Sequence, residues 1–438
     1  VADPAKTTKV SSFAAPIGTR DVLPPESARW EALIALFAEH VERAGFGLIQ
    51  SPMFEDLGVF QRMGEGTDVV RKEMYDFVDK GDRHLALRPE GTASVMRAYV
   101  EHRPLTPWKV WYATPVFRYE RPQAGRFRQH HQLGVEAVGS ADPDLDVEVI
   151  VLLSDVYQAL GLRQVDLVIN TMGTPADRVA YTERVRAFLV AHEADLAPED
   201  VEKIEGHPLR VLDSKRPATQ AVVADAPTIL DSLAPEALAH FVRVQAGLAA
   251  AGIPATIDPR LVRGLDYYTH TLFEFRSGAL DAAQNTIGGG GRFDGLIEAL
   301  GGPSTPAVGF GSGIERVLLT CDAEGVFGAP DRRPDAFVVD VTGGDAARDL
   351  CLELRRAGLR VDRAYDARSM KAQMKAADRS GAALALIVGD DELAAGTVTL
   401  RDLVHRSGQH AVERAAVVDA VRAAATALPT EPAPLEHS

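Results

Sequence analysis

Between Arg118 and Arg128 the sequence crowds four arginines and one glutamate: Arg118, Glu120, Arg121, Arg126 and Arg128. The stretch stands between two apolar runs that read as strands. On a strand, alternate residues share a face, so Arg118 and Glu120 point the same way. An arginine there can grip a phosphate through paired N–H donors, and a carboxylate two residues on can accept from an amino group. Arg126 and Arg128 fall at the tip of the turn, suited to a longer polyanion. Spacing alone fits a solvated hairpin tip equally well.

Three further segments carry groups of this kind. In Arg88-Pro89-Glu90-Gly91-Thr92, Gly91 permits close backbone approach, and Glu90 and Thr92 can hold a ligand ammonium. A helix start capped by Thr92 is the plainer reading. Arg263-Gly264-Leu265-Asp266-Tyr267-Tyr268 puts two tyrosines in succession on a predicted strand, where only one can line a given pocket. Aromatic cross-strand pairing explains them as well. Ala307–Arg316 runs from a strand through small residues into a helix, with Arg316 on its first turn able to meet an anion. It fits a dinucleotide fingerprint poorly, because the third glycine is misplaced. Gly288–Gly291 reads as a turn.

Together these arginines suggest a polyphosphate ligand held without a phosphate loop. The sequence has no GxxxxGK[ST], HExxH or GxSxG motif. His130 and His131 are adjacent, so on a strand they face opposite ways and cannot share a metal. Cys321 and Cys351, the two cysteines, stand outside metal-ligand spacing. No protein-bound metal and no disulfide is expected, which fits a reducing, cytoplasmic compartment.

The elements that must position these residues follow from periodicity. Trp30, Leu33, Ile34, Phe37 and Val41 repeat at helical spacing and predict a helix over Pro24–Ala44. Leu48–Phe54 reads as a strand broken by Pro52. His84–Arg88, Lys109–Thr114, Val116–Tyr119 and His131–Val138 read as closely spaced strands, which implies antiparallel pairing. A helix is expected over Leu145–Leu160. Residues 173–250 are rich in helix signals and read as an inserted helical subdomain. Strand Tyr267–Phe275, helix Phe293–Ala299 and helix Gly313–Cys321 complete the first domain, 14–328. After a linker near Gly328–Pro334, strands at Ala336–Val341, Leu359–Asp362, Leu384–Val388 and Thr397–Leu400 alternate with helices at Ala346–Ala357, Ser369–Ser380 and Ala411–Ala425. That pattern predicts a small, mostly parallel α/β domain over 334–425. Residues 1–13 and 428–438 read as disordered tails.

The chain has 438 residues, 46% of them hydrophobic and 25% charged, as in ordinary soluble proteins. No apolar run is long enough to span a bilayer. A net charge of −15 argues against a protein that coats nucleic acid. A local basic track can still meet a polyanion. Arg355, Arg356, Arg360, Arg363, Arg368, Lys371, Lys375 and Arg379 form one such track in 25 residues, although a solvated helix face is the alternative.

These segments, in this order, resemble the signature motifs of class II aminoacyl-tRNA synthetases. Leu48–Phe60, with Pro52 and Glu55, resembles motif 1; Phe117–Glu136 resembles motif 2; Ala307–Leu319 resembles motif 3. Leu261–Tyr268, Gly290–Leu296, Arg88–Thr92 and Gln132–Glu136 are similar to segments of the histidine-specific family, and the resemblance runs from about Pro16 to Val421. It implies an α+β catalytic domain built on a mainly antiparallel sheet, an α/β anticodon-binding domain and a homodimer joined through motif 1. It also implies ATP-dependent activation of L-histidine, with Mg²⁺, and transfer to tRNA(His). By the same resemblance, Glu90, Thr92 and Gln132 hold the histidine ammonium. Glu136 and Tyr268 read the imidazole, with Tyr267 beside them. Arg118 grips the α-phosphate, Glu120 the adenine amino group and Arg316 the γ-phosphate. Arg263 meets the α-phosphate from the opposite side, making Arg118, Arg263 and Arg316 the catalytic arginines. Arg121, Gln123, Arg126 and Arg128 are candidates for the tRNA acceptor end. Phe293 departs from the family, which has tyrosine there. A non-catalytic paralog that regulates ATP phosphoribosyltransferase shares this fold. It typically lacks the second domain and has degraded signature arginines, whereas this chain keeps Arg118, Arg263 and Arg316.

Overall fold

The computed structural model describes residues 13–62, 72–123, 125–212, 214–262, 267–281, 285–366 and 368–426. Arg263 lies outside them, as do the tail segments 1–12 and 427–438. The chain divides into two compact units, Val1–Phe327 and Gly328–Ser438.

The first unit is built on eleven strands among the described residues: β1 (Gly47–Leu48), β2 (Phe54–Asp56), β3 (Tyr75–Val78), β4 (His84–Leu87), β5 (Trp108–Phe117), β6 (Gln129–Val138), β7 (Val165–Thr171), β8 (Ala255–Ile257), β9 (Thr269–Ser277), β10 (Thr286–Arg292) and β11 (Ala307–Gly313). Eight form one sheet in the order β1-β5-β6-β11-β10-β9-β7-β8. Its interior is antiparallel, and only the edge strands β1 and β8 pair in parallel. The strands β2, β4 and β3 make a small antiparallel sheet.

Helix Glu26–Arg43 forms within the expected span and buries Trp30, Leu33, Phe37 and Val41, residues at helical spacing. Helix Pro143–Ala159 starts where the Asp142 side chain accepts from the Asp144 N–H. With helix Pro235–Ala250, these helices cover one face of the large sheet through Phe37, Val149, Leu153, Phe241 and Phe310. The opposite face joins helix Thr92–His102 and the inserted helix Pro175–Ala191 in a second core containing Met96, Tyr181, Tyr268 and Phe293.

Several expected elements are redrawn. The predicted strand Leu48–Phe54 divides at Pro52 into β1, beside β5, and β2, in the small sheet. The two short strands before Tyr119 are one ten-residue strand, β5, that runs through Pro115. Pro115 pairs with His131 beyond the end of β1, where β5 has a ladder on one side only. Gly288–Gly291 is not a turn but the middle of β10, hydrogen-bonded on both sides. A side chain on Gly290 would begin 2.0 Å from the Gly309 carbonyl oxygen. Close backbone packing, not a reversal of the chain, therefore calls for glycine.

The second unit has strands β12 (Ala336–Asp340), β13 (Val361–Arg363), β14 (Leu384–Val388), β15 (Thr397–Asp402) and β16 (Gln409–Glu413), in the order β13-β12-β14-β15-β16. Its sheet is mixed, not mostly parallel: β12 runs parallel to β13 and β14, and β15 and β16 form an antiparallel hairpin. The predicted helix Ala411–Ala425 is split, because Gln409–Glu413 pairs with β15 and the helix starts only at Val417.

Candidate active site

Register on the large sheet builds the site. Along β6, Gln132, Gly134 and Glu136 alternate onto one face. Opposite them stand Thr114, Tyr112 and Val110 on β5 and Gly313, Gly311 and Gly309 on β11. Gly311 and Gly309 pair in turn with Gly289 and Gly291 on β10. One face of three strands, β6, β11 and β10, is thus floored by glycines, so a flat ligand can lie directly against the backbone.

At one end of this floor sits a buried polar cluster. Glu136 is fully buried, and its Oε1 accepts from the Thr92 hydroxyl at 2.7 Å and the Tyr112 hydroxyl at 3.1 Å. Its Oε2 is buried with no hydrogen-bond partner among the described residues. A side chain on Gly309 would begin 2.0 Å from that oxygen. Burial pushes the Glu136 carboxyl well above the usual range, and the nearby Glu90 adds to this, while the two hydroxyls act against it.

Glu90 is buried too, and its oxygens accept from the Thr92 and Ala93 N–H groups at 2.8 and 2.7 Å. The helix-start reading of this segment is therefore realised, with Glu90 as the capping side chain instead of Thr92. Burial raises the Glu90 carboxyl as well.

Tyr267 and Tyr268 do not face opposite ways. Strand β9 starts only at Thr269, and the two rings lie 4.7 Å apart. Tyr267 meets the buried Phe293 edge-on at 5.6 Å.

The other end of the floor opens into a cavity of about 460 Å³ lined by Arg118, Glu120, Arg126, His130, Gln132, Glu274, Glu315 and Arg316. Arg118 is anchored by its Nε, which donates to the Pro89 carbonyl at 2.9 Å. Arg316 donates to the carbonyls of Thr286 at 2.9 Å and Gly125 at 3.3 Å. Arg126 and Arg128 are folded back instead of reaching out from a loop tip. Arg126 is ion-paired with Glu120, and the Arg128 guanidinium lies 4.0 Å from the Tyr119 ring centre. Arg121 and Gln123 are exposed. His130 lines the cavity, whereas His131 turns away to the Glu315 carboxylate. Burial, helped by Arg118, holds His130 down at about 3, so its ring is neutral near pH 7. A second cavity, of about 560 Å³, shares Glu274, Thr286 and Arg316 and is bounded on the insertion side by Lys215 and Gln220.

Among the described residues, no group of three His, Cys, Asp or Glu side chains could hold a metal ion. Sequence reasoning missed Tyr112, His130 and Glu274. Tyr112 looks like an ordinary strand aromatic, and only its register partner Gly134 marks it as special.

In the second unit the expected basic track is divided. Arg355, Arg360 and Arg363 donate to the backbone carbonyls of Val361, Asp331 and Gly344. Lys371, Lys375 and Arg379 stand four residues apart on helix Met370–Ser380, exposed along one side.

The histidyl-tRNA synthetase family model matches residues 18–317, and the anticodon-binding-domain model matches residues 335–424. A histidine–tRNA ligase of Moorella thermoacetica is 49% identical over 93% of this chain and 97% of its own length. The structure of apo S. aureus histidyl-tRNA synthetase superposes with a TM-score of 0.79 at 35% identity, covering 94% of this chain and all of that one. A Bacillus halodurans protein described as an ATP phosphoribosyltransferase regulatory subunit/histidyl-tRNA synthetase superposes at 0.60 with 22% identity over 81% of this chain and 93% of its own, a likeness of fold alone. A family match across most of the first unit, a matching second domain and a full-length relative at this identity place the chain in the histidyl-tRNA synthetase family.

Proposed function

We propose that this chain activates L-histidine with ATP and transfers it to the 3′ end of tRNA(His). The observation that carries this reading is the arrangement on the glycine floor. A buried polar cluster, with one carboxylate oxygen unpartnered among the described residues, stands on the same floor as an arginine-lined cavity of nucleotide size. Imidazole is an N–H donor that fits the former, and a bent triphosphate fits the latter.

In the first step the histidine carboxylate attacks the α-phosphorus in line, and pyrophosphate leaves. Charge builds on the phosphate oxygens, so fixed cations aimed at them lower the barrier. Arg118 takes the α-phosphate, with its Nε held by the Pro89 carbonyl. Arg316 takes the γ-phosphate. Arg263 keeps the α-phosphate role that the resemblance gives it. Glu90, Thr92 and Gln132 receive the ammonium, and Glu136, Tyr267 and Tyr268 the ring. Glu120 meets the adenine amino group once Arg126 swings off it. Mg²⁺ enters with ATP as part of the substrate. In the second step a terminal ribose hydroxyl of tRNA attacks the adenylate carbonyl, and AMP leaves. Arg121, Gln123, Arg126 and Arg128 are assigned to the acceptor end. The exposed row Lys371, Lys375 and Arg379 is assigned to backbone phosphates of the anticodon arm. The working form is a homodimer in the cytoplasm. No helix among the described residues is long and apolar enough to cross a membrane.

The test is exchange of labelled pyrophosphate into ATP with each amino acid in turn. Exchange with histidine alone supports the activation step. No exchange from folded protein with Mg²⁺ present would overturn it and favour a regulatory role, checked by adding an ATP phosphoribosyltransferase.

A further inference from the structure

We propose that Tyr112 is a positioning residue for amino-acid selection: with Thr92 it saturates Oε1 of Glu136, leaving Oε2 alone to meet the substrate ring. The inference rests on the histidine reading of this pocket. It adds a residue outside the segments that resemble the family's binding motifs.

The Tyr112 ring is fixed by backbone on two sides. Side chains on Gly91 and Gly134 would begin 2.5 and 2.3 Å from its atoms, so both glycines exist to admit it. Those glycines belong to the helix start beside Glu90 and to β6 beside Glu136, and the ring ties the two together. Its hydroxyl and that of Thr92 both donate to Oε1. A carboxylate oxygen has two lone-pair directions, so two donors fill it. Oε2, by contrast, is buried over Gly309 without a partner among the described residues. The carboxylate therefore presents a single acceptor of fixed direction, and an N–H donor in the ligand must satisfy it.

The hydroxyl also governs charge. The titratable groups facing Glu136 are Glu90, whose charge opposes its ionisation, and the phenols Tyr112 and Tyr267. Among the described residues, the donors from Thr92 and Tyr112 are what favour the carboxylate. Removing one donor makes Glu136 harder to ionise, so the acceptor form appears only at higher pH.

The experiment is Tyr112→Phe in the full-length protein, read by histidine-dependent pyrophosphate exchange across a pH series. The phenyl ring keeps the packing. The KM for histidine should rise about five- to tenfold, the size of one lost hydrogen bond. The KM for ATP and kcat should stay unchanged. The pH above which the histidine KM reaches its floor should move upward relative to wild type, a comparison in which titration of histidine itself cancels. An unchanged histidine KM would overturn the proposal. So would a rise equal at every pH and shared with ATP, because that marks a packing defect. Absence of exchange in the wild type would instead overturn the histidine reading, and this proposal with it.

Discussion

Glu136 shows how a residue can serve binding at the expense of stability. Its carboxyl is raised by burial above the unfolded value of 4.5. A raised folded value means stability that is fully present below the unfolded value and lost as pH rises through the folded one. Glu136→Gln removes this loss. The variant should gain thermal stability over wild type at neutral and alkaline pH, with the gain vanishing in acid. It should also lose about 10- to 100-fold in kcat/KM for histidine, as expected for a hydrogen bond to a charged group. Paired melting curves at acid and alkaline pH, alongside exchange kinetics, check both halves; a variant less stable at every pH would contradict the argument. Arg292 behaves in the opposite way. It is fully buried, ion-paired with Asp146, and donates to the Ser140 carbonyl at 2.8 Å. Arg292→Ala leaves Asp146 charged and buried, with His240 at 3.6 Å as its remaining ion-pair partner among the described residues. It should cost about 3–5 kcal/mol in denaturant unfolding, with no direct effect on catalysis in whatever fraction stays folded.

At the scale of elements, strand register does most of the positioning, and a one-residue slip would send Glu136, Gln132 and the glycines to the opposite face. Gly309→Ala tests this without replacing a ligand-binding side chain. Its methyl would collide with Glu136 Oε2 and lie 2.4 Å from the Val135 carbonyl oxygen. Neither is the end of a flexible chain free to move, so the histidine KM should rise by at least about tenfold. Exchange kinetics with histidine and ATP varied separately would show it, and equal KM values for variant and wild type would mean that the floor is more pliant than argued. The same register explains what the sequence made legible. Helix Glu26–Arg43 and strand β14 follow directly from periodicity, because each buries one regular face or run. Gly288–Gly291 reads as a turn from sequence because glycine signals both reversal and close packing, and only the neighbours β9 and β11 decide between them. Strand β16 was lost inside a predicted helix, because its exposed residues carry little apolar alternation and its identity comes from pairing with β15. Residue types named Glu90 as a candidate and the family resemblance named Glu136, but the partner that sets Glu136 in place, Tyr112, is 24 residues away and becomes visible only through pairing.

At the scale of the molecule, the small sheet offers a surface that one chain leaves uncovered. Met53 and Phe54 are each half exposed, and Phe77 and Val78 on β3, across β4 from them, are exposed as well. Phe54 and Phe77 touch edge-on at 6.3 Å, which makes the apolar area continuous. Such a patch calls for a partner, and in this segment the proposed partner is a second copy. The patch is wired to the site. The Arg88 guanidinium donates to the Ser51 carbonyl at 3.1 Å and the Pro52 carbonyl at 3.2 Å, immediately before the patch. Arg88 also leads directly into Pro89, which holds Arg118, and Glu90, which starts the helix under the pocket. Behind the patch, Glu55 is clamped by Arg97 through bonds of 2.7 and 3.0 Å. A chain that cannot dimerise would lose the contacts that hold Ser51 and Pro52 still, and the loosening would reach Arg118 and Glu90 together. Met53→Asp with Phe54→Asp should therefore shift sedimentation from dimer to monomer at micromolar protein. In the same samples it should lower kcat/KM for histidine and for ATP by similar factors, since one anchor serves both ends of the site. A dimer that survives both aspartates would place the interface elsewhere, and a monomer with full exchange activity would break the proposed link between interface and pocket.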